Sequence, residues 1–217
     1  MEKATQPRAF YGSFFHAPEY GSFEYLERAL IEVGEDGAIE RVIAHDDPDQ
    51  AAALAKVREA GTLYELGEGR FGLPGFVDIH IHSPQWPQAA LALDEPLYRW
   101  LDERTFPLES KFADVDFAKK VYSDLVDQLL ARGSTTAVYL GSAHLEATVA
   151  LAEICAERGQ RALVGKTVMD DPAANPDYYR DASPAQAVRD TETLIREVEA
   201  IGRKSRAGAW PVITPRF

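Results

Sequence analysis

The run Pro74-Gly75-Phe76-Val77-Asp78-Ile79-His80-Ile81-His82 constrains this chain most, because it closes an apolar, strand-sized segment with two imidazoles two residues apart. Side chains alternate along a strand, so Phe76, Asp78, His80 and His82 are expected on one face and Val77, Ile79 and Ile81 on the other. In a parallel barrel the greasy face packs on outer helices, the other points inward, and sites form at the C-terminal strand ends. The histidines stand at that end. Neutral imidazole is a common ligand of zinc and iron, and two from one strand can fill adjacent corners of a coordination sphere. A catalytic zinc usually takes three protein ligands and keeps one position open, so a further ligand has to come from elsewhere. The alternative is a hydrogen-bonded histidine pair in a packed strand.

From Leu73 onward strand and helix signals alternate, which argues for an α/β fold rather than segregated elements. Strands are centred on residues 76 to 82, 136 to 140, 161 to 166 and 211 to 214. Asp114 or Asp116 can cap a helix in which Phe117, Val121, Leu125 and Leu129 recur at fourfold spacing until Gly133. A second helix is expected from about residue 145 to 157, ending near Gly159, and a third from Ser183-Pro184, a cap followed by proline, to Gly202. Residues 170 to 181 form a polar, Pro-containing loop expected to fold over the strand ends. Before Leu73, residues 29 to 33 and 38 to 43 pair through the hairpin signal Gly34-Glu35-Asp36-Gly37, and an Ala-rich helix from about 49 to 60 is stopped by Gly61.

Composition removes several functional classes. The net charge of −12 opposes nucleic-acid binding, which needs Lys and Arg to displace phosphate counterions. Apolar runs are strand-sized, so no membrane span is expected. Glu2, Lys3, Gln6 and Arg8 interrupt any signal-peptide core, and the single Cys155 cannot form an internal disulfide; both point to a cytoplasmic protein.

Five segments, 74 to 85 (PGFVDIHIHSPQ), 105 to 109 (TFPLE), 133 to 137 (GSTTA), 161 to 166 (RALVGK) and 214 to 217 (TPRF), together resemble the amidohydrolase superfamily, and within it the guanine deaminase family. The resemblance implies the first half of a (β/α)8 TIM-like barrel over residues 73 to 217, preceded over residues 1 to 72 by the N-terminal part of a small β domain. It implies zinc, with iron as the other candidate, held by His80 and His82. His82, Gln85, Arg216 and Phe217 become contacts to a free purine base, guanine, and the implied reaction is hydrolysis at C2 to xanthine and ammonia. The family's remaining ligands and its proton-shuttling Glu correspond to no residue here, so the chain is expected to be truncated at strand four and inactive by itself. A homodimer is consistent with the family.

Each residue also has a plainer reading. Gln85 can be a solvent-facing loop amide, Arg216 a surface cation and Phe217 core. Lys166 suggests a carboxylated metal bridge, although a packed lysine is the commoner case. His144 is positioned to approach the substrate from the same rim, and Asp78 to orient an imidazole through its second nitrogen or to sit low in the barrel. Trp86, Leu97, Trp100 and Leu101 are candidate pocket walls; Cys155 is expected to be inert core, and His16 and His45 loop residues. Two other functions remain open: an amidohydrolase of another ring, such as a chlorohydrolase-like enzyme or pyrimidine deaminase, and a non-catalytic remnant or partner protein that binds no metal.

Overall fold

The structure is a computed structural model that describes residues 7–216. The chain divides into two compact units, residues 1–74 and 75–217.

In the first unit, β1 (Ala9–His16), β2 (Glu24–Val33) and β3 (Ile39–Ile43) run antiparallel, while β4 (Leu63–Glu65) and β5 (Phe71–Gly72) pair with β1 in parallel after helix α1 (Gln50–Glu59). The predicted hairpin closes through Gly34 N–H to the Ala38 carbonyl at 2.8 Å, with Ala38 N–H on the Asp36 carboxylate at 2.9 Å. Ala9, Leu30 and Ile43 form the core beneath Leu54 and Val57 of α1. At the start of α1 the Gln50 amide donates to the carbonyls of Arg28 and Ala44 at 2.8 and 2.9 Å, tying helix to sheet. His16 is not a loop residue: it ends β1 and faces Glu24 across the pair at 3.0 Å, because β2 starts at Glu24, ahead of the strand expected from residue 29, and pairs with β1 along that extension.

The second unit is built on a parallel sheet in the order β10-β8-β7-β6, comprising β6 (Phe76–His82), β7 (Ser134–Leu140), β8 (Arg161–Gly165) and β10 (Ala209–Pro211). Its upper rim continues into a second parallel pair, β9 (Thr167–Val168) with β11 (Thr214–Pro215). Short helices α2 (Leu97–Trp100) and α3 (Phe106–Glu109) follow β6, and α4 (Val115–Ala131), α5 (Leu145–Arg158) and α6 (Pro184–Gly202) fill the crossovers. This is α/β with the strand order expected of a barrel's first half.

The long helices begin and end as their sequences suggest. The Asp114 side chain accepts from the backbone of Asp116 and Phe117 at 2.9 and 3.2 Å, and Ser183 caps α6 ahead of Pro184. Gly159 ends α5 in the left-handed conformation at φ 76°. Tyr122, Leu125, Leu151, Leu194 and Val198 meet Ala137, Tyr139, Ala162 and Val164 of the sheet in one core. Cys155 lies within it, its thiol pushed up to about 12 by burial, as an inert core residue should be. No helix among the described residues is long and apolar enough to cross a membrane.

One expectation fails on β6. Ile81 packs against the core, but Val77 is 62% and Ile79 73% exposed. The strand has β7 on one side and no described partner on the other, and its register slips between Asp78 and Ile81, so strict alternation does not carry the whole greasy face onto the helices.

Candidate active site

The slip in β6 falls beside the histidines, and bulges of this kind re-aim side chains next to functional sites. The result is convergence: His80 Nε2 and His82 Nε2 lie 3.1 Å apart, with ring planes inclined at 59°. Two nitrogens each about 2.0–2.1 Å from one tetrahedral zinc stand roughly 3.3 Å apart, so the pair already has the spacing of two adjacent ligands. Burial, then the charge of Arg216, then His80 push the pKa of His82 down to about 4, which keeps its ring neutral and its lone pair available at pH 7. Among the described residues no cluster of three or more His, Cys, Asp or Glu side chains gathers as a metal cage, so the imidazoles stand as a pair of donors.

Asp78 does not orient either ring. Its carboxylate accepts instead from the backbone N–H of His80 at 3.1 Å, a local bond across the distorted part of the strand.

After His82 the chain makes a tight 3₁₀ turn, Ser83–Gln88, pinned at both ends. The Ser83 hydroxyl donates to the Leu140 carbonyl at the tip of β7 (3.2 Å), and the buried Gln88 amide donates to Thr105 Oγ1 (2.8 Å). Gln85 sits between these pins and turns its Nε2 to Glu109 Oε1 at 2.8 Å. It is therefore a held amide rather than a solvent-facing one.

Glu109 is the residue that sequence reasoning passed over. Pro107 cannot donate a backbone hydrogen bond, and its ring opposes the carbonyl four residues earlier, so the helix widens into a π-turn over Leu101–Thr105 before α3 delivers Glu109 inward. The carboxylate is fully buried; Oε1 accepts from Gln85 and Oε2 from Arg216 Nη1 at 2.7 Å. The available signal was its place at the end of Thr-Phe-Pro-Leu-Glu, one of the segments that carried the family resemblance.

Arg216 reaches this point along β11. Its backbone N–H bonds the Val168 carbonyl at 3.1 Å, and Thr214 Oγ1 donates to the Lys166 carbonyl at 2.6 Å. Its side chain is only 8% exposed and lies over the Phe106 ring at 5.6 Å, so it is not a surface cation. Phe106, Met169 and Tyr179 form the small apolar floor behind it. Burial first, and the Glu109 charge second, hold the Tyr179 phenol protonated well above its ordinary range. Phe217 lies outside the described residues.

An open cleft of about 400 Å³ is lined by His80, His82, Gln85, Trp86 and Trp100, among others. Leu97 is not a wall, being 69% exposed, and Leu101 turns toward Phe106. The Lys166 ammonium, completely buried, pairs with Asp181 at 2.6 Å and is thereby a packed structural lysine. The other Asp181 oxygen accepts from Met169 N–H at 2.8 Å, which anchors the loop over residues 170–181 to the rim. His144 leans on Tyr179 with ring centroids 5.7 Å apart, and its pKa is lowered chiefly by burial.

The chain belongs to the amidohydrolase family, whose profile matches residues 71–215. Its relatives narrow the comparison. It is 36% identical to guanine deaminase of Dictyostelium discoideum over 218 residues, covering 97% of this chain and 47% of that one. It is 36% identical to guanine deaminase of Mus musculus, covering 98% and 46%. Guanine deaminase from C. acetobutylicum, solved with guanine in its active site, superposes with a TM-score of 0.80 at 29% identity, covering 97% of this chain and 46% of that structure. The chain thus spans about half the length of the curated relatives it matches.

Proposed function

We propose that this chain supplies the metal-binding strand and the purine-reading rim of a zinc-dependent guanine deaminase, with residues 1 to 72 as the N-terminal part of its small β domain and the rest as the first half of its barrel. The observation that carries the proposal is the convergence of His80 and His82 nitrogens at 3.1 Å beside a rim that holds Gln85 and Arg216 on one buried carboxylate. Guanine deaminase relatives of the same family support it.

His80 and His82 would hold the zinc, or iron in its place, as neutral donors. When bound, the metal makes water acidic enough to act as a nucleophile at neutral pH. The chain's own residues do the rest of the first-half work. The Arg216 fork suits the adjacent acceptors O6 and N7 of guanine, and Gln85 offers an acceptor and a remaining N–H to the ring's amidine edge. Phe217 would stack on the purine face. Net reaction at C2 replaces the exocyclic amine by oxygen, giving xanthine and ammonia. A free base of this kind fits a cytoplasmic enzyme of purine breakdown.

The test is a turnover assay with the complete polypeptide that carries this sequence, supplied with zinc and either guanine or a panel of other amino-substituted rings. Conversion of guanine to xanthine in preference to the panel is expected; preference for a triazine or pyrimidine would move the protein to another branch of the family.

A further inference from the structure

Glu109 is a fully buried carboxylate whose two oxygens are both committed, one to Gln85 and one to Arg216. We propose that Glu109 is a positioning residue that sets the sense of the Gln85 amide and the aim of the Arg216 guanidinium, fixing the order of acceptor and donor that the rim offers a substrate ring. The proposal rests on the guanine deaminase reading above and goes beyond it in assigning this residue a role.

The chemistry is one-sided. Glu109 Oε1 accepts from the NH₂ end of Gln85, so the Gln85 carbonyl oxygen turns the other way. That leaves an acceptor for a ring N–H or amine, with one amide hydrogen to spare. On the other side, Glu109 takes one Nη1 hydrogen of Arg216, while the Phe106 ring limits tilt of the guanidinium plane. That bond aims the guanidinium fork, and a fork of fixed aim suits ring acceptors such as a carbonyl and its neighbouring nitrogen. A ring with acceptors at one end and donors at the other is read in one orientation; the reversed pattern of an aminopurine such as adenine meets donor with donor. With both oxygens engaged and the side chain closed to solvent, Glu109 is built as a holder of other groups.

The experiment compares Glu109→Gln and Glu109→Asp with the parent in the complete, zinc-loaded polypeptide, reading kcat and KM for guanine separately, with the thermal midpoint alongside. Asp181→Asn is the structural control, since it breaks a buried ion pair that touches neither Gln85 nor Arg216. Glu109→Gln is expected to raise KM about tenfold or more with kcat within about threefold, as for loss of an interaction equal in ground and transition states. Glu109→Asp, which keeps the charge but shortens the reach, should recover part of the KM and remains informative if the Gln variant does not fold. Asp181→Asn should lower the midpoint and leave KM within about twofold. An unchanged KM in both Glu109 variants, a fall in kcat alone, or an equal KM rise in the control overturns the positioning role. A parent protein that binds zinc but does not turn over guanine overturns the functional reading beneath it.

Discussion

His80 and His82 meet at their ring nitrogens because one strand delivers both and a register slip brings them together. Removing either imidazole takes away one of the two donors this chain offers, so His80→Ala in the complete polypeptide is expected to reduce bound zinc from about one per molecule to well below it on equilibrium dialysis. Retention of full stoichiometry would place the metal elsewhere. Proton competition has a definite sign here. The folded-state pKa of His82 lies near 4 against an ordinary 6.5, and that of His144 is also lowered. Unfolded chains therefore bind protons first as pH falls, and the stability that these two histidines contribute to the metal-free chain drops from about pH 6.5 downward. His82→Gln should flatten that acid limb, which thermal unfolding between about pH 7.5 and 4.5 would read; an identical slope in the variant would mean that other groups govern it. At this scale the sequence was legible where residue type and spacing suffice, as in His-x-His and the Ser183-Pro184 cap. It was silent on Glu109, since a carboxylate in a helical stretch looks like any solvated one until the π-turn and burial are seen.

Elements place the rim as much as residues do. Gly165 ends β8 where the chain passes under residues 212–214: a Cβ there would lie 2.5 Å from the Val212 carbonyl oxygen and 2.6 Å from the Thr214 side chain. Gly165→Ala should therefore cost about 1–3 kcal/mol by overpacking, seen in chemical denaturation, and should raise KM for guanine by shifting β11 and the Arg216 it carries. A neutral effect on both would mean that β11 accommodates the methyl group freely. Asp114→Ala removes the acceptor for two N–H groups at the start of α4 and should cost about 1 kcal/mol without touching the rim. The three long helices and the first three sheet strands were readable because apolar period, cap and stop signals agree, whereas the fourth strand, expected at residues 211 to 214, lies at Ala209–Pro211 and is followed by the separate β11. The short pieces were not: β9 and β11 are two residues each, and their pairing is decided by where the neighbouring strands end.

For the molecule as a whole, the parallel sheet has no further strand paired to β6 or β10 among the described residues, and Val77, Ile79 and Trp210 are exposed along these flanks. Such flanks invite pairing with another strand. The 217-residue chain by itself is expected to associate in sedimentation velocity, and charged substitution at Val77 and Ile79 should reduce that association; a sharp monomer boundary for the parent chain would show the flanks to be adequately protected. The strand order was foreseeable from the alternation of strand and helix, but the exposure along β6 was not, because a sequence pattern reports which side chains want burial and not whether a neighbour arrives to bury them. The measurement that bears most directly on the account is guanine turnover by the complete, zinc-loaded polypeptide, with His80→Ala beside it. The account predicts xanthine and ammonia in equal amounts from the parent and none from the variant. Zinc bound to the parent with no xanthine formed would contradict it.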